Sequence, residues 1–476
     1  MNLARLTAMA GAALLASCAL GPNYKRPSID STPAQYKELA ASETPPAPPP
    51  PQWWTLLNDP MLNDLESRVE VSNQNLAASE AAYRQALSVV RQQRAGLFPS
   101  INADAGVTKS GGSRGSNTVV TTPGGVSRTS SSSGEIYTGG VSASWELDLW
   151  GRLRRSLENA HALADASAND LKFAKLSMQT QLATTYLELR EADAEQRLLN
   201  DTIAAYQRAL QIAQNRYNVG MAVKSDVLQA QTQLANAQEQ ASALVLTRMQ
   251  AEHAISALIG VPAGSYTLES QPDWRTDVLS VPAGVPSTLL QRRPDVASSE
   301  RRVAAANANI GIEEAAYFPS LTLTGSYSFL SSSVDTLFKT ANAAHSVGAS
   351  VAQTVFDAGR TPARVAGARA AYDQSVAEYR QSVLTAFQDV EDQLAASRQL
   401  TQQYELRRQA SEAADETERL TLNQYRAGTV SYTNVVVAQT TALSARVALA
   451  RVELQRQTTA IALIKALGGD WSETPR

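Results

Sequence analysis

Two long runs of this chain repeat each other. Gly151 to Gly260 contains no proline and is interrupted near its middle by Arg216, Tyr217, Asn218, Val219 and Gly220. Displaced by 208 residues, Gly359 and Arg360 stand where Gly151 and Arg152 stood, Gln424 to Gly428 fill the midpoint, and Gly468 answers Gly260. A stretch such as Gly151 to Arg216, helical at ~1.5 Å per residue, reaches about 100 Å. That exceeds the width of an ordinary globular domain, so the fold must give two long helical hairpins something to line or to join.

The segments ahead of the runs repeat as well. From Met61 to Gly96, Leu62, Leu65, Val69, Leu76, Leu87 and Val90 recur at helical spacing and predict one long amphipathic helix. Phe98-Pro99-Ser100 stops it, and the period changes from 3.6 to 2. Ile101, Ala103, Ala105 and Val107 alternate with polar or small residues, as do Val141, Ala143, Trp145, Leu147 and Leu149. Between these strands, Lys109 to Ser133 is rich in Gly, Ser and Thr and reads as a loop. In the second half a shorter helix runs to Ala316, Phe318-Pro319-Ser320 repeats the stop, and two more alternating strands follow, Leu321 to Phe329 and Ser346 to Val355. Each half is therefore helix, β-hairpin, long helix, tip, long helix. Boundaries follow: 1–17 signal peptide, 18–60 tether, 61–261 first repeat, 262–293 proline-rich connector, 294–471 second repeat, 472–476 tail.

Arg5, the apolar core Leu6 to Ala16 and the run Leu15-Ala16-Ser17-Cys18 resemble a bacterial lipoprotein signal, with Cys18 as the lipidation site and the only cysteine in the chain. Ala19 and Leu20 follow, with no Asp to retain the product at the inner membrane, which by resemblance favours the outer membrane. No later stretch has the ~18 uninterrupted apolar residues of a transmembrane helix. A net charge of -3 argues against a nucleic-acid surface.

Strands with one apolar and one small polar face suit a bilayer, where lipid meets the first face and water the second. Four strands cannot close, so the chain must share a barrel with other copies: two copies give eight strands and three give twelve. An eight-stranded barrel fills with its own side chains, whereas a wider one leaves an aqueous lumen. The helical runs, poor in Leu and rich in Ala, Gln, Ser and Thr, suit a wettable wall better than a solid coiled-coil rod.

These features together resemble the TolC-like bacterial outer-membrane efflux proteins of the OprM/NodT lipoprotein branch. The residues that carry the resemblance are Cys18 followed by Gly21-Pro22-Asn23-Tyr24, the Trp54 to Leu62 segment with Asp59 and Pro60, Val281 to Pro286 leading to Arg292-Arg293-Pro294-Asp295, both Phe-Pro-Ser stops and both Tyr-x-x-Gly tips. The resemblance implies a mixed α/β membrane protein, a homotrimer whose twelve-stranded outer-membrane barrel is continued by a periplasmic helical barrel. It implies a passive exit duct, partnered by a periplasmic adaptor and an inner-membrane RND-type transporter, in contact with outer-membrane lipid. Readings that stay open are an exit duct for type I protein secretion and a non-conducting lipid-anchored scaffold.

Catalysis has little support: His161, His253 and His345 are scattered, no second cysteine exists, and no phosphate loop precedes a helix. Neither cofactor nor metal is expected. Arg292 to Asp295 reads as a helix start, with Pro at the first position and Asp in the first turn. Gly220 and Gly428 are expected turn glycines. By the resemblance, a channel gate draws on Asp226, Tyr217 and Tyr425, with Asn434 and Val437 standing where relatives often carry Asp, and Val430 where a basic residue can occur.

Overall fold

The computed structural model describes residues 19–29, 36–38, 52–110, 117–122, 125–130, 134–274, 278–279, 281 and 293–469. Cys18, the signal segment and part of the proline-rich connector lie outside them. The chain forms two compact units, each assembled from stretches of both repeats.

The first unit comprises Arg84–Asp165, Arg301–Ala377 and the segment ending at Pro27. Its centre is an antiparallel sheet of β1 (Ser100–Ser110), β4 (Gly134–Leu147), β5 (Ser320–Ser331) and β6 (Ala343–Ala352), in the order β1-β4-β5-β6. The register aligns like with like. Asn102, Ser142, Ser326 and Ser346 form one row across all four strands, with Ser326 and Ser346 hydroxyls 2.8 Å apart; Trp145, Leu323 and Ala349 form an apolar row. Apolar residues on this sheet are left in the open: Ile101 is 74% exposed and Val347 90%. Strands β1 and β6 each pair on one side only among the described residues. The stretch read as a loop carries structure of its own, a two-stranded ribbon of β2 (Asn117–Thr122) and β3 (Gly125–Ser130). Val119, Val120 and Thr121 make the β-prone centre that overall composition conceals.

Both strand-to-helix junctions are built alike. Helix α3 (Arg152–Asn218) starts after Gly151 at φ +83°, with Asp148 accepting from the Leu153 and Arg154 backbone N–H groups. Helix α6 (Arg360–Ala427) starts after Gly359 at φ +89°, with Asp357 accepting from Gly359 and Thr361. In each case an Asp satisfies orphan donors and complements the positive helix end. Residues assigned above to a tether are held down in part: Arg155, almost fully buried, donates to the Leu20 and Gly21 carbonyls and to Asn23, while Asn307 on α5 (Pro294–Ala315) donates to Pro22. Helix α5 begins at Pro294 with Asp295 in its first turn, as expected.

The second unit comprises Ser28–Tyr83, Ala166–Glu300 and Glu378–Arg476. The helix predicted over Met61 to Gly96 is two helices, α1 (Pro60–Ser72) and α2 (Gln74–Ala95). Asn73 separates them at ψ 121°; its Oδ1 caps α2 by accepting from Asn75 and Leu76, and its Nδ2 donates to the Leu258 carbonyl. Leu62, Leu65, Val69, Leu182, Tyr186 and Ile255 form the centre of the main apolar core. Asp59 caps α1 through Oδ1 and uses Oδ2 to accept from Tyr186 (2.6 Å) and Trp274 (2.7 Å), which pins the chain after α4 (Lys224–Leu258) to this core. A buried ion network continues from there. Arg190 donates to Tyr186 and Asp193, and Arg248 to Asp193, Glu252 and the Leu268 carbonyl. Burial alone would lift the Asp193 carboxyl, but Arg248, the Gln271 N–H and Ser270 hold it below its ordinary range.

One described helix, α7 (Tyr432–Ala466), is apolar and long enough to cross a bilayer by composition, a point at which the sequence reading differs because Gln and Thr interrupt the run. Its Arg446 is ion-paired with Asp415 and Glu418 of α6, the behaviour of a bundle helix.

Asn73→Ala removes a cap and a tertiary hydrogen bond, and thermal or denaturant unfolding should show a loss of about 1–2 kcal/mol. Glu66 is fully buried, neither of its oxygens has a hydrogen-bond partner among the described residues, and burial together with Glu70 raises its pKa well above the carboxylate range. The folded state therefore keeps a proton that the unfolded chain releases above its ordinary pKa, so this group's contribution falls as pH rises. Melts at about pH 5 and pH 8 should show a smaller loss of stability with rising pH in Glu66→Gln than in wild type; parallel slopes would contradict it.

Candidate functional site: the paired helical tips

Helices α3 and α4 meet at one tip and α6 and α7 at the other, and both tips belong to the second unit. Each long helix stops in the same way. Gly220 at φ +75° lets its N–H bond to the Tyr217 carbonyl and the Met221 N–H to Arg216; Gly428 at φ +80° does the same with Tyr425, and Thr429 with Gln424. This pair of bonds closes the helix end and needs a left-handed residue that glycine adopts without steric cost.

Around these turns the two tips share an apolar cluster of Ala213, Val227, Ala230, Tyr425, Tyr432 and Val435, with Val430 packed at its edge. The Tyr425 and Tyr432 rings meet edge to face at 5.1 Å. Arg216 crosses from the first tip to the second. Its guanidinium lies 4.7 Å from the Tyr425 ring centre, and its Nη1 donates to the Tyr425 (2.6 Å) and Arg426 (3.1 Å) carbonyls. A cation at the carbonyl end of α6 is favoured by the helix dipole and by the bonds themselves.

Asp226 lies half-buried in the first turn of α4, and among the described residues its carboxylate makes no hydrogen bond or ion pair. It is close enough to act electrostatically on both buried tyrosines. Burial raises the Tyr425 pKa, Asp226 adds to the rise, and Arg216 opposes it. Tyr432 is raised by burial first, then by Tyr425, Tyr206 and Asp226. Both phenols therefore stay neutral through the physiological range.

The structure thus places Tyr425 in the cluster with Asp226 half-buried within electrostatic reach of it, and the other candidates on exposed surface. Tyr217 is 41% exposed, against 2% for its repeat equivalent Tyr425. Val437 is 61% exposed, and Asn434 is exposed as well. Arg216 and Tyr432 were missed as members of the cluster. Tyr432 could have been found from its spacing: seven residues after Tyr425, directly across a glycine turn. Arg216 offered no such signal, since its partners are backbone carbonyls more than 200 residues away. His161, His253 and His345 are all exposed and far apart in sequence, and no metal-holding group of His, Cys, Asp and Glu occurs among the described residues.

Comparison with known proteins agrees with this architecture. The family described as outer membrane efflux protein matches residues 65–261 and 285–469. The chain is 31% identical over 479 residues to a probable efflux pump outer membrane protein, TtgC, of Pseudomonas putida, covering 97% of this chain and 94% of the relative. It is 30% identical over 478 residues to the pyoverdine export outer membrane protein OpmQ of Pseudomonas aeruginosa, covering 99% and 98%. Among solved structures, the outer-membrane channel OprN superposes with a TM-score of 0.85 at 28% identity, covering 95% of this chain and all of that one. With a four-stranded antiparallel sheet, two long helical hairpins and a full-length match on both counts, this chain belongs to the outer membrane efflux protein family.

Proposed function

We propose that this chain is the exit duct of a tripartite efflux pump, assembled from three copies and passive in itself. The observation that carries the reading is the four-stranded sheet: open at β1 and β6, apolar and exposed on one side, lined with small polar residues in the Asn102 to Ser346 row on the other. Three such sheets joined edge to edge give a twelve-stranded barrel wide enough for an aqueous lumen. A periplasmic adaptor and an inner-membrane RND-type transporter supply recruitment and energy, and drugs or other small solutes pass outward. Relatives are named for cargo as different as pyoverdine and toluene, which supports placing selection in the partners and leaving this chain as a conduit. No catalytic role is proposed, and Cys18 carries the acyl anchor that holds the N-terminus to the outer membrane.

The gate of the duct lies at the tips, where Asp226 from each copy approaches a common axis and Tyr425, buried against Arg216, holds the two hairpins together. Tyr217, Asn434 and Val437, exposed in one copy, face the constriction or a neighbouring protomer. A ring of like charge attracts cations and slows anions. Single-channel recording of the purified protein in a planar bilayer tests the reading: conductance is expected, and its absence in every gating condition would favour a non-conducting scaffold. In the same assay Asp226→Ala should raise conductance or abolish block by multivalent cations, and no change in either would remove Asp226 from the gate. Metabolic labelling with a palmitate analogue should mark the wild type and leave Cys18→Ser unlabelled.

A further inference from the structure

Residues directly opposed in an antiparallel sheet share a face, as do residues two apart along a strand. The row of Asn102, Ser142, Ser326 and Ser346 therefore defines one whole face of β1, β4, β5 and β6. That face carries mostly Ser, Thr and Gly, and among the residues of the four strands its only charged side chains are Asp104 and Glu146. Glu146 is answered, because Arg152 Nη2 donates to both of its oxygens at 2.7 Å. Lys109 and Glu135 belong to the opposite face and answer each other at 2.9 Å. Asp104 is exposed and makes no hydrogen bond or ion pair among the described residues.

The neighbours of Asp104 leave it unanswered on both sides. Across β4 stands Gly140, which has no side chain to cover it, and the row continues with Ser328 and Ala344. On its other side β1 is an open edge, and copies joined head to tail in a ring place β6 of the next copy there. The residues of β6 on this face are Ala344, Ser346, Gly348, Ser350 and Ala352, so no register brings a cation beside Asp104. We infer that Asp104 sets the charge preference of the barrel lumen: three copies put three unpaired carboxylates at one height on a wall without other unanswered charge, and this favours cations over anions. The inference rests on the duct proposed above and concerns a different element from the tips, since Asp104 belongs to the first unit and Asp226 to the second. A charged side chain turned to lipid destabilises a barrel, whereas in a water-filled lumen with low-dielectric walls it concentrates counterions. Screening limits its reach to ~10 Å at 0.1 M salt and ~3 Å at 1 M, so the preference is expressed in dilute salt and fades in concentrated salt.

Reversal potentials of single channels under a KCl gradient read this preference. The full-chain protein is inserted into planar bilayers both as wild type and with Asp226→Ala, which removes the carboxylate proposed at the tips. With the gradient centred near ~0.1 M, Asp104→Asn should lower the permeability ratio of potassium to chloride by about twofold or more, and Asp104→Lys should lower it further. Both differences should shrink near ~1 M. Asp104→Cys supplies a check within a channel already folded: an anionic thiosulfonate reagent should raise the ratio and a cationic one lower it, with no response in wild type. Absence of conductance from every channel removes the duct and this inference together. Conductance with a ratio unchanged by Asp104→Asn and by modification of Asp104→Cys overturns this inference alone, and so does a shift of equal size at both salt concentrations, because a field from the lumen wall is screened.

Discussion

Unpaired backbone at the two edges of the sheet is the constraint on which the rest depends. Strands β1 and β6 each present a row of N–H and C=O groups with no strand partner among the described residues. In water such an edge invites aggregation, and in hydrocarbon each unsatisfied group costs several kcal/mol, so a bilayer tolerates only closure. The exposed apolar side chains of the sheet impose the same demand from another direction, because a soluble protein would cover residues as open as Val347. A single copy of this chain is thus an incomplete structure in a physical sense, and its membership in a family of outer-membrane channels states what completes it.

Duplication made the element economical, and divergence gave its two copies different work. Tyr217 and Tyr425 occupy the same place in the two tips, yet one is exposed and the other sits in the shared core. The reason lies in the neighbours: Arg216 in the first repeat reaches across to the carbonyl end of α6, whereas its equivalent Gln424 stays within its own turn and only lends its carbonyl to Thr429. Likewise Tyr432, which completes the aromatic pair, stands where the first repeat has Lys224, and Asp226 stands where the second has Asn434. A cluster stabilised by one cation on one ring can exist only if the two halves differ, so asymmetry here is a packing requirement.

Much of the fold was legible in the sequence because it rests on local periodicity. The alternation of Ile101 to Val107 and of Val141 to Leu147 names strands without reference to any partner, and Gly151, Gly220, Gly359 and Gly428 mark boundaries through the φ > 0 that each of them adopts. What escaped depends on distant contacts. The break at Asn73 falls inside a correct helical spacing, and the residue ends one helix and caps the next while gripping the carbonyl of Leu258, 185 residues away. The ribbon of β2 and β3 was hidden because Gly, Ser and Thr dominate the composition around it. At the tips, Asp226 and Tyr425 could be named from the sequence, whereas the burial that distinguishes Tyr425 from Tyr217 could not, since both precede an identical glycine turn.

The energetics of the tip suit the gate proposed above. Hydrogen bonds to the charged Arg216 are worth about 1.5–3 kcal/mol each, and its stacking on Tyr425 about 0.5–2, against desolvation and ordering costs that take back much of the sum. The paired tips are then held by about a few kcal/mol beyond the apolar contacts of Val227, Val435 and Tyr432. Moving a two-state equilibrium from almost closed to almost open takes about 5.5 kcal/mol of differential affinity, an amount one protein surface can supply. A tip cemented by many buried ion pairs, like the Arg190, Asp193, Arg248 and Glu252 network elsewhere in the same unit, would be beyond that reach. The chain thus places its rigid charge network in the body of the second unit and leaves one arginine clasp at the tips, the weaker of the two joints and the one the proposed gate would have to open.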